Sequence, residues 1–185
     1  MMVEVRTFGL GGILEILPKK FGDHRGFFSE TYNAAALKAH GVDLVFVQDN
    51  HSYSVSAGVL RGLHYQLPPF AQDKLVRVTR GAILDVVVDI RRSSPTFGRW
   101  EALEVSAEKW NQILVPKGFA HGFVTLVPDT EVLYKVTELY SKEHDRSLRF
   151  DDPAIGVEWP SFAEGYILSD KDKAAPLLAD ADLFE

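Results

Sequence analysis

The sequence has no cysteine, which excludes disulfides, thiolate zinc sites, iron–sulfur clusters and a cysteine nucleophile. It has no long apolar run. The longest, Ile83 to Ile90, is interrupted by Asp85 and Asp89 and falls far short of the roughly 20 residues needed to cross a bilayer. Met1-Met2-Val3-Glu4-Val5-Arg6 alternates rather than offering a charged head and an apolar body, so it does not read as a targeting peptide. A cytoplasmic protein without a membrane partner is the expectation. Positive charge is not in excess: 20 Lys and Arg stand against 26 Asp and Glu, a formal net charge of −6. A broad nucleic-acid surface is therefore not expected, although a local basic pocket is allowed. G-x-S-x-G, H-E-x-x-H and P-loop motifs are absent. Gly9-Leu10-Gly11-Gly12 is the nearest approach to a phosphate loop, and no helical pattern follows it.

The chain has 185 residues, about the size of one domain, and no linker, repeat or low-complexity tract divides it. Residues 1–185 are read as one domain. With 46% hydrophobic and 11% aromatic residues, it can build a full core. Alternating or β-branched runs dominate: Leu44 to Val47, Lys74 to Thr79, Ile83 to Ile90, Trp100 to Val105, Gln112 to Val115, Gly122 to Val127 and Thr130 to Thr137. Turn residues separate them, as at Arg80-Gly81, Pro116-Lys117-Gly118 and Pro128-Asp129. Short strands at this spacing predict an all-β sandwich or barrel. Two short helices are expected, one over Asn33 to His40 with Asn33 as N-cap and Gly41 as the stop, and one near Ala174 to Ala179.

Two stretches place polar groups inside strand-like text. In Gly58 to Gln66, period two sets Leu60, Gly62, His64 and Gln66 on one face and Val59, Arg61, Leu63 and Tyr65 on the other. In Pro116 to Phe123, a Pro-x-Gly turn leads to His121. Each histidine read alone fits a hydrogen-bonding group at a barrel rim as well as a functional one. Pro116-x-Gly118-x-x-His121 resembles the second motif of cupins, small double-stranded β-helix (jelly-roll) barrels. The first cupin motif carries H-x-H, and here that place reads His64-Tyr65-Gln66. Two histidines and a neutral amide fall short of the three ligands a first-row metal needs, so a barrel with no metal and no cofactor is expected.

Further motifs narrow the resemblance. Phe21-x-Asp23-x-Arg25-Gly26-x-Phe28-x-Glu30, Gln48-Asp49-Asn50-x-Ser52, Arg61 to Gln66, Lys74, Asp85 to Arg91, Pro116 to Phe123, Tyr134-Lys135, Tyr140, Asp151-Asp152-Pro153 and Leu168-Ser169-x-Lys171-Asp172 occur in that order. The set resembles the dTDP-4-dehydrorhamnose 3,5-epimerases over nearly the whole chain. That resemblance implies inversion of the two carbons beside the C4 ketone of a dTDP-linked 4-keto-6-deoxyglucose. Each inversion needs a base, an acid on the opposite face and stabilisation of an enolate oxygen. The resemblance implies His64 as base, an imidazole being suited to proton transfer near neutral pH. It implies Asp172 as the carboxylate orienting His64, Tyr134 as acid and Lys74 beside the ketone oxygen.

The matching positions for the diphosphate are Arg25, Arg61 and Lys171, and His121 is placed at the sugar or phosphate. Glu30, Gln48, Asp49 and Asn50 are candidate contacts to nucleoside or sugar, and Tyr140 is a platform for thymine. Asp145 occupies an acidic binding position. A homodimer is implied, with exchanged N-terminal strands carrying Arg25 and Glu30 to the other chain's site. A single-centre epimerase, a metal-dependent cupin enzyme and a non-catalytic sugar-nucleotide-binding barrel stay open as alternatives.

Overall fold

The computed structural model describes residues 3–185. The strands are β1 (Val3–Phe8), β2 (Ile13–Pro18), β3 (Lys20–Asp23), β4 (Gly26–Ser29), β5 (Gln48–Ser54), β6 (Leu60–Gln66), β7 (Lys74–Arg80), β8 (Ala82–Asp89), β9 (Trp100–Ser106), β10 (Gln112–Val115), β11 (Phe119–Thr125), β12 (Thr130–Val136) and β13 (Asp145–Ser147). The helices are α1 (Ala34–Lys38) and α2 (Asp170–Lys173), with a 3₁₀ turn at Leu178–Asp180. Among the described residues no helix is long and apolar enough to cross a membrane.

Two antiparallel sheets form the body. Their strand orders are β1-β2-β10-β7-β12-β5 and β13-β6-β11-β8-β9, and β3-β4 stands apart as a hairpin. Val76, Val78, Ile113 and Val132 of the first sheet meet Ile83, Val87, Val105, Phe119 and Phe123 of the second in one buried cluster. Each fully buried aliphatic or aromatic side chain contributes about 1.5–3 kcal/mol. This is the expected cupin-type jelly roll. It also explains why residues 83–88 read as an almost unbroken apolar run. Val87 faces the inter-sheet core, while Val86 and Val88 pack outward against Ile155, Leu178 and Ala181 of the C-terminal segment. A strand covered on both faces loses its alternation.

Three local expectations need correction. The run Leu44 to Val47 is not a strand. Pairing starts at Gln48, opposite Val136, because β12 ends there and offers no partner beyond a single bond from the Val47 amide to the Val136 carbonyl. The C-terminal helix lies earlier than its alanines suggest. Ser169 caps α2 by accepting from the Asp172 amide, and only the 3₁₀ turn overlaps the expected stretch. The N-terminal helix does form over Ala34–Lys38 with Asn33 as its cap. Gly9 to Gly12, three of them with positive φ, make the β1–β2 hairpin turn rather than an anion cradle.

The third correction concerns β6. His121 pairs with His64, but Phe123 pairs with Arg61, so β6 carries one extra residue opposite Gly122. This bulge breaks the period of two. Arg61 and His64, expected on opposite faces, turn to the same one. Glycine is required there: a Cβ on Gly62 (φ +130°) would lie 2.5 Å from the Gly122 Cα.

Candidate active site

The bulged stretch of β6 opens onto a cavity of about 460 Å³ between the two sheets. Its walls include Arg61 and His64 from β6, Lys74 from β7, His121 from β11, Tyr134 from β12 and Asp172 from α2. Six side chains from five elements thus meet at one place. A second space of about 320 Å³ shares His64, Lys74 and Tyr134 and adds Gln48, Asn50, Tyr140, Asp145 and Lys171. The two make a deep chamber with a polar mouth.

His64 Nε2 lies 2.5 Å from Asp172 Oδ1. The other carboxylate oxygen accepts from Ser169 Oγ at 2.7 Å. Asp172 is only 3% exposed. Burial pushes its carboxyl up, but hydrogen bonds from His64, Ser169 and the Gly62 backbone outweigh it and hold the group below its usual value. Asp172 is ionised and the imidazole ring is fixed against it. A second pair lies deeper: His121 Nε2 is 2.8 Å from Asp85 Oδ2, and both are buried. Among the described residues no three His, Cys, Asp or Glu side chains gather as a metal-ligand set.

Tyr134 projects from β12. Burial is the main cause that raises its phenol above the ordinary value, with Arg61 opposing, so the hydroxyl keeps its proton. Lys74 is 9% exposed. Its Nζ donates to the His64 carbonyl at 3.2 Å. Burial lowers its pKa to about 8, against the pull of Asp85 and Asp145. The ammonium is therefore charged at neutral pH but held at a cost, which suits a group that meets negative charge arising in the cavity.

At the mouth, strand alternation sorts β5. Gln48, Asn50 and Ser52 turn inward, and Asp49 turns to the outer face, where it pairs with Lys135 at 2.6 Å. Asp49 is thus not brought into the cavity of its own chain. Tyr140 is 60% exposed, with its hydroxyl on Asp145 Oδ2 at 3.2 Å. Lys171 Nζ shares that oxygen at 2.5 Å. Arg61 is buttressed by Tyr53 O and Ser54 Oγ. Arg61 Nε and Ser52 Oγ are buried without a hydrogen-bond partner among the described residues.

Arg25 and Glu30 lie elsewhere. Arg25 sits at the tip of the β3–β4 hairpin, bound to Asp23, and Glu30 accepts from Asn33 Nδ2 at 2.8 Å. The sequence alone assigns no role to Asp85, Ser169 or Ser52. Asp85 carried a signal, a carboxylate inside an apolar strand, but its partner is set by the β8–β11 register and not by local sequence.

A jelly-roll barrel whose cavity joins a carboxylate-oriented imidazole, a protonated phenol and a buried ammonium belongs to the cupin-type proteins equipped for proton transfer. The sequence model of the dTDP-4-dehydrorhamnose 3,5-epimerases matches residues 7–180. The dTDP-4-dehydrorhamnose 3,5-epimerase of Sinorhizobium fredii is 54% identical over 175 residues, covering 95% of this chain and 89% of that one. The crystal structure of the Bacillus anthracis dTDP-4-dehydrorhamnose 3,5-epimerase with TDP and PPi bound superposes with a TM-score of 0.91 at 50% identity, covering 95% of this chain and 99% of that one. The Legionella pneumophila dTDP-6-deoxy-D-glucose-3,5-epimerase in complex with dTDP-4-keto-L-rhamnose gives 0.92 at 43% identity, with 97% and 95% covered. The chain belongs to the dTDP-4-dehydrorhamnose 3,5-epimerase family.

Proposed function

We infer that the protein is an isomerase that converts dTDP-4-dehydro-6-deoxy-D-glucose to dTDP-4-dehydro-L-rhamnose, in the biosynthesis of dTDP-L-rhamnose. The observation that carries this reading is the meeting of His64, its partner Asp172, Tyr134 and Lys74 in one cavity. C3 and C5 both flank the C4 ketone, so the hydrogens on both are acidic. His64 takes the proton from one carbon. The C–H electron pair moves into a C=C bond and the carbonyl electrons onto O4. The Lys74 ammonium stabilises that enolate oxygen. Tyr134 then gives a proton to the other face of the carbon as the ketone re-forms. The second carbon follows by the same steps. Proton numbers balance once solvent reprotonates Tyr134 and accepts the proton from His64, so the cycle needs no redox partner and no cofactor.

The mouth supplies the rest. Tyr140 offers a face for thymine, Gln48 and Asn50 offer hydrogen bonds, and Lys171 and the Arg61 guanidinium supply positive charge for the diphosphate. His121 and Asp145 complete the contacts. The working unit is a cytoplasmic homodimer. On the β3–β4 hairpin Phe27 is 54% and Phe28 66% exposed, an apolar surface that calls for a cover; Arg25 at its tip lines no cavity of its own chain, and Glu30, just beyond it, lines a separate space of about 280 Å³ beside Asp49 and Tyr134. Seating the hairpin against a second copy covers the rings and carries both residues to the other chain's site.

Incubation with dTDP-4-keto-6-deoxy-D-glucose in D₂O tests the reading. Deuterium at both C3 and C5 with the L-rhamno product is expected. Deuterium at one carbon marks a single-centre epimerase, and none at either ends the proposal.

A further inference from the structure

Gln66 lies two residues from His64 on β6 and is almost fully buried. Its carboxamide is fully engaged. Nε2 donates to the carbonyls of Phe70 at 2.7 Å and Leu139 at 3.1 Å, and Oε1 accepts from the Ser141 amide at 2.7 Å. Leu139 and Ser141 are the two neighbours of Tyr140. The remaining fastenings of Tyr140 are its amide on Gln48 Oε1 at 3.1 Å and its hydroxyl on Asp145 Oδ2. Asp145 is also the residue paired with Gln66 in the β6–β13 register.

Residues 137–144 belong to neither sheet, so no strand ladder fixes the ring. Main-chain bonds fasten the ends of the loop, from the Thr137 amide to the Asp73 carbonyl and from the Leu67 amide to the His144 carbonyl, but between them side-chain bonds hold it, and Gln66 grips the main chain on both sides of the aromatic. A buried amide that loses these partners leaves polar groups unsatisfied, and the loop relaxes to satisfy them. Because Gln66 and His64 share a strand, the height of the ring is set relative to the imidazole.

We propose that Gln66 is a positioning residue for nucleotide recognition: it fixes the Tyr140 platform relative to His64, and so sets the affinity for the nucleotide without entering the proton transfers. This rests on the reading of the ligand as a dTDP-linked ketosugar.

The test is Gln66→Met, which keeps length and volume and removes all three bonds. The Kd of dTDP by calorimetry and the KM of the ketosugar are expected to rise about tenfold, within the range set by loss of one base–aromatic stack. The kcat is expected to stay within about twofold, since the interaction is the same in ground and transition states. In a Tyr140→Ala background Gln66→Met is expected to add less than about twofold, because its effect passes through the ring. An unchanged Kd, losses that multiply independently, or a fall in kcat at constant KM overturns the proposal. Should Gln66→Met fail to fold, Gln66→Glu keeps the acceptor for Ser141 and loses both donors. Weaker dTDP binding with kcat preserved supports the proposal there, and unchanged binding overturns it. If the wild-type protein binds no dTDP, it is the reading of the ligand that has failed. If the wild type binds and Gln66→Met binds equally, only the role of Gln66 has.

Discussion

His64 and Asp172 are 108 residues apart in the chain and 2.5 Å apart in space. The contact exists because the C-terminal segment folds back over the second sheet, where Leu178 and Ala181 pack on Val86 and Val88, and this sets α2 beside β6. Packing on the outside of the barrel thus orients a side chain on the inside.

Asp172→Asn retains the shape of the pair and removes the charge. The kcat is expected to fall about 10³-fold while dTDP binds nearly as before. Ser169→Ala removes both the hydrogen bond to the carboxylate and the cap on the Asp172 amide, and about tenfold is expected. Steady-state kinetics with calorimetric dTDP affinity checks both.

Lys74 links activity and stability to pH with opposite signs. Its ammonium loses its proton as pH rises through about 8, so kcat/KM is expected to show an alkaline limb near that pH. The limb should vanish, on a much lower rate, in Lys74→Met. Folding lowers the group from 10.5 to about 8, so between those values the unfolded chain binds more protons and stability from this group rises with pH. Below about 8 the buried ammonium costs about 3 kcal/mol. Lys74→Met is expected to raise the thermal midpoint at pH 7, and the gain should shrink by pH 10. An equal gain at both pH values would count against the burial argument.

The hairpin gives an assembly prediction. Phe27→Ser with Phe28→Ser is expected to shift the protein from dimer to monomer in light scattering at micromolar concentration. The KM should rise with it, because Arg25 and Glu30 leave the site. A wild-type monomer that turns over normally would contradict the exchange.

The barrel was legible because β runs and turn residues alternate along the chain, and because each motif sits where a strand or turn needs it. Less legible was whatever depends on register. The bulge at Gly62 moves Arg61 to the face of His64, and nothing in Leu60 to Gln66 announces an extra residue. The partner of His121 is Asp85, a pairing set by β8 lying beside β11. Lys74 reads as a solvent-facing lysine, and only closure of the barrel buries it. The run Leu44 to Val47 has strand chemistry but no neighbour to pair with. Resemblance alone places both Asp49 and Asn50 at the site, and it is β5 that turns them to opposite faces.

The direct test of the acid–base pair is deuterium wash-in at C3 and C5, followed by NMR in D₂O for wild type, His64→Ala and Tyr134→Phe. His64→Ala is expected to lose exchange at both carbons by about 10²–10⁴-fold with dTDP affinity intact. Tyr134→Phe is expected to keep exchange at one carbon or both while product formation falls further than proton loss. Wild-type exchange rates in His64→Ala would contradict the assignment of the imidazole as the base.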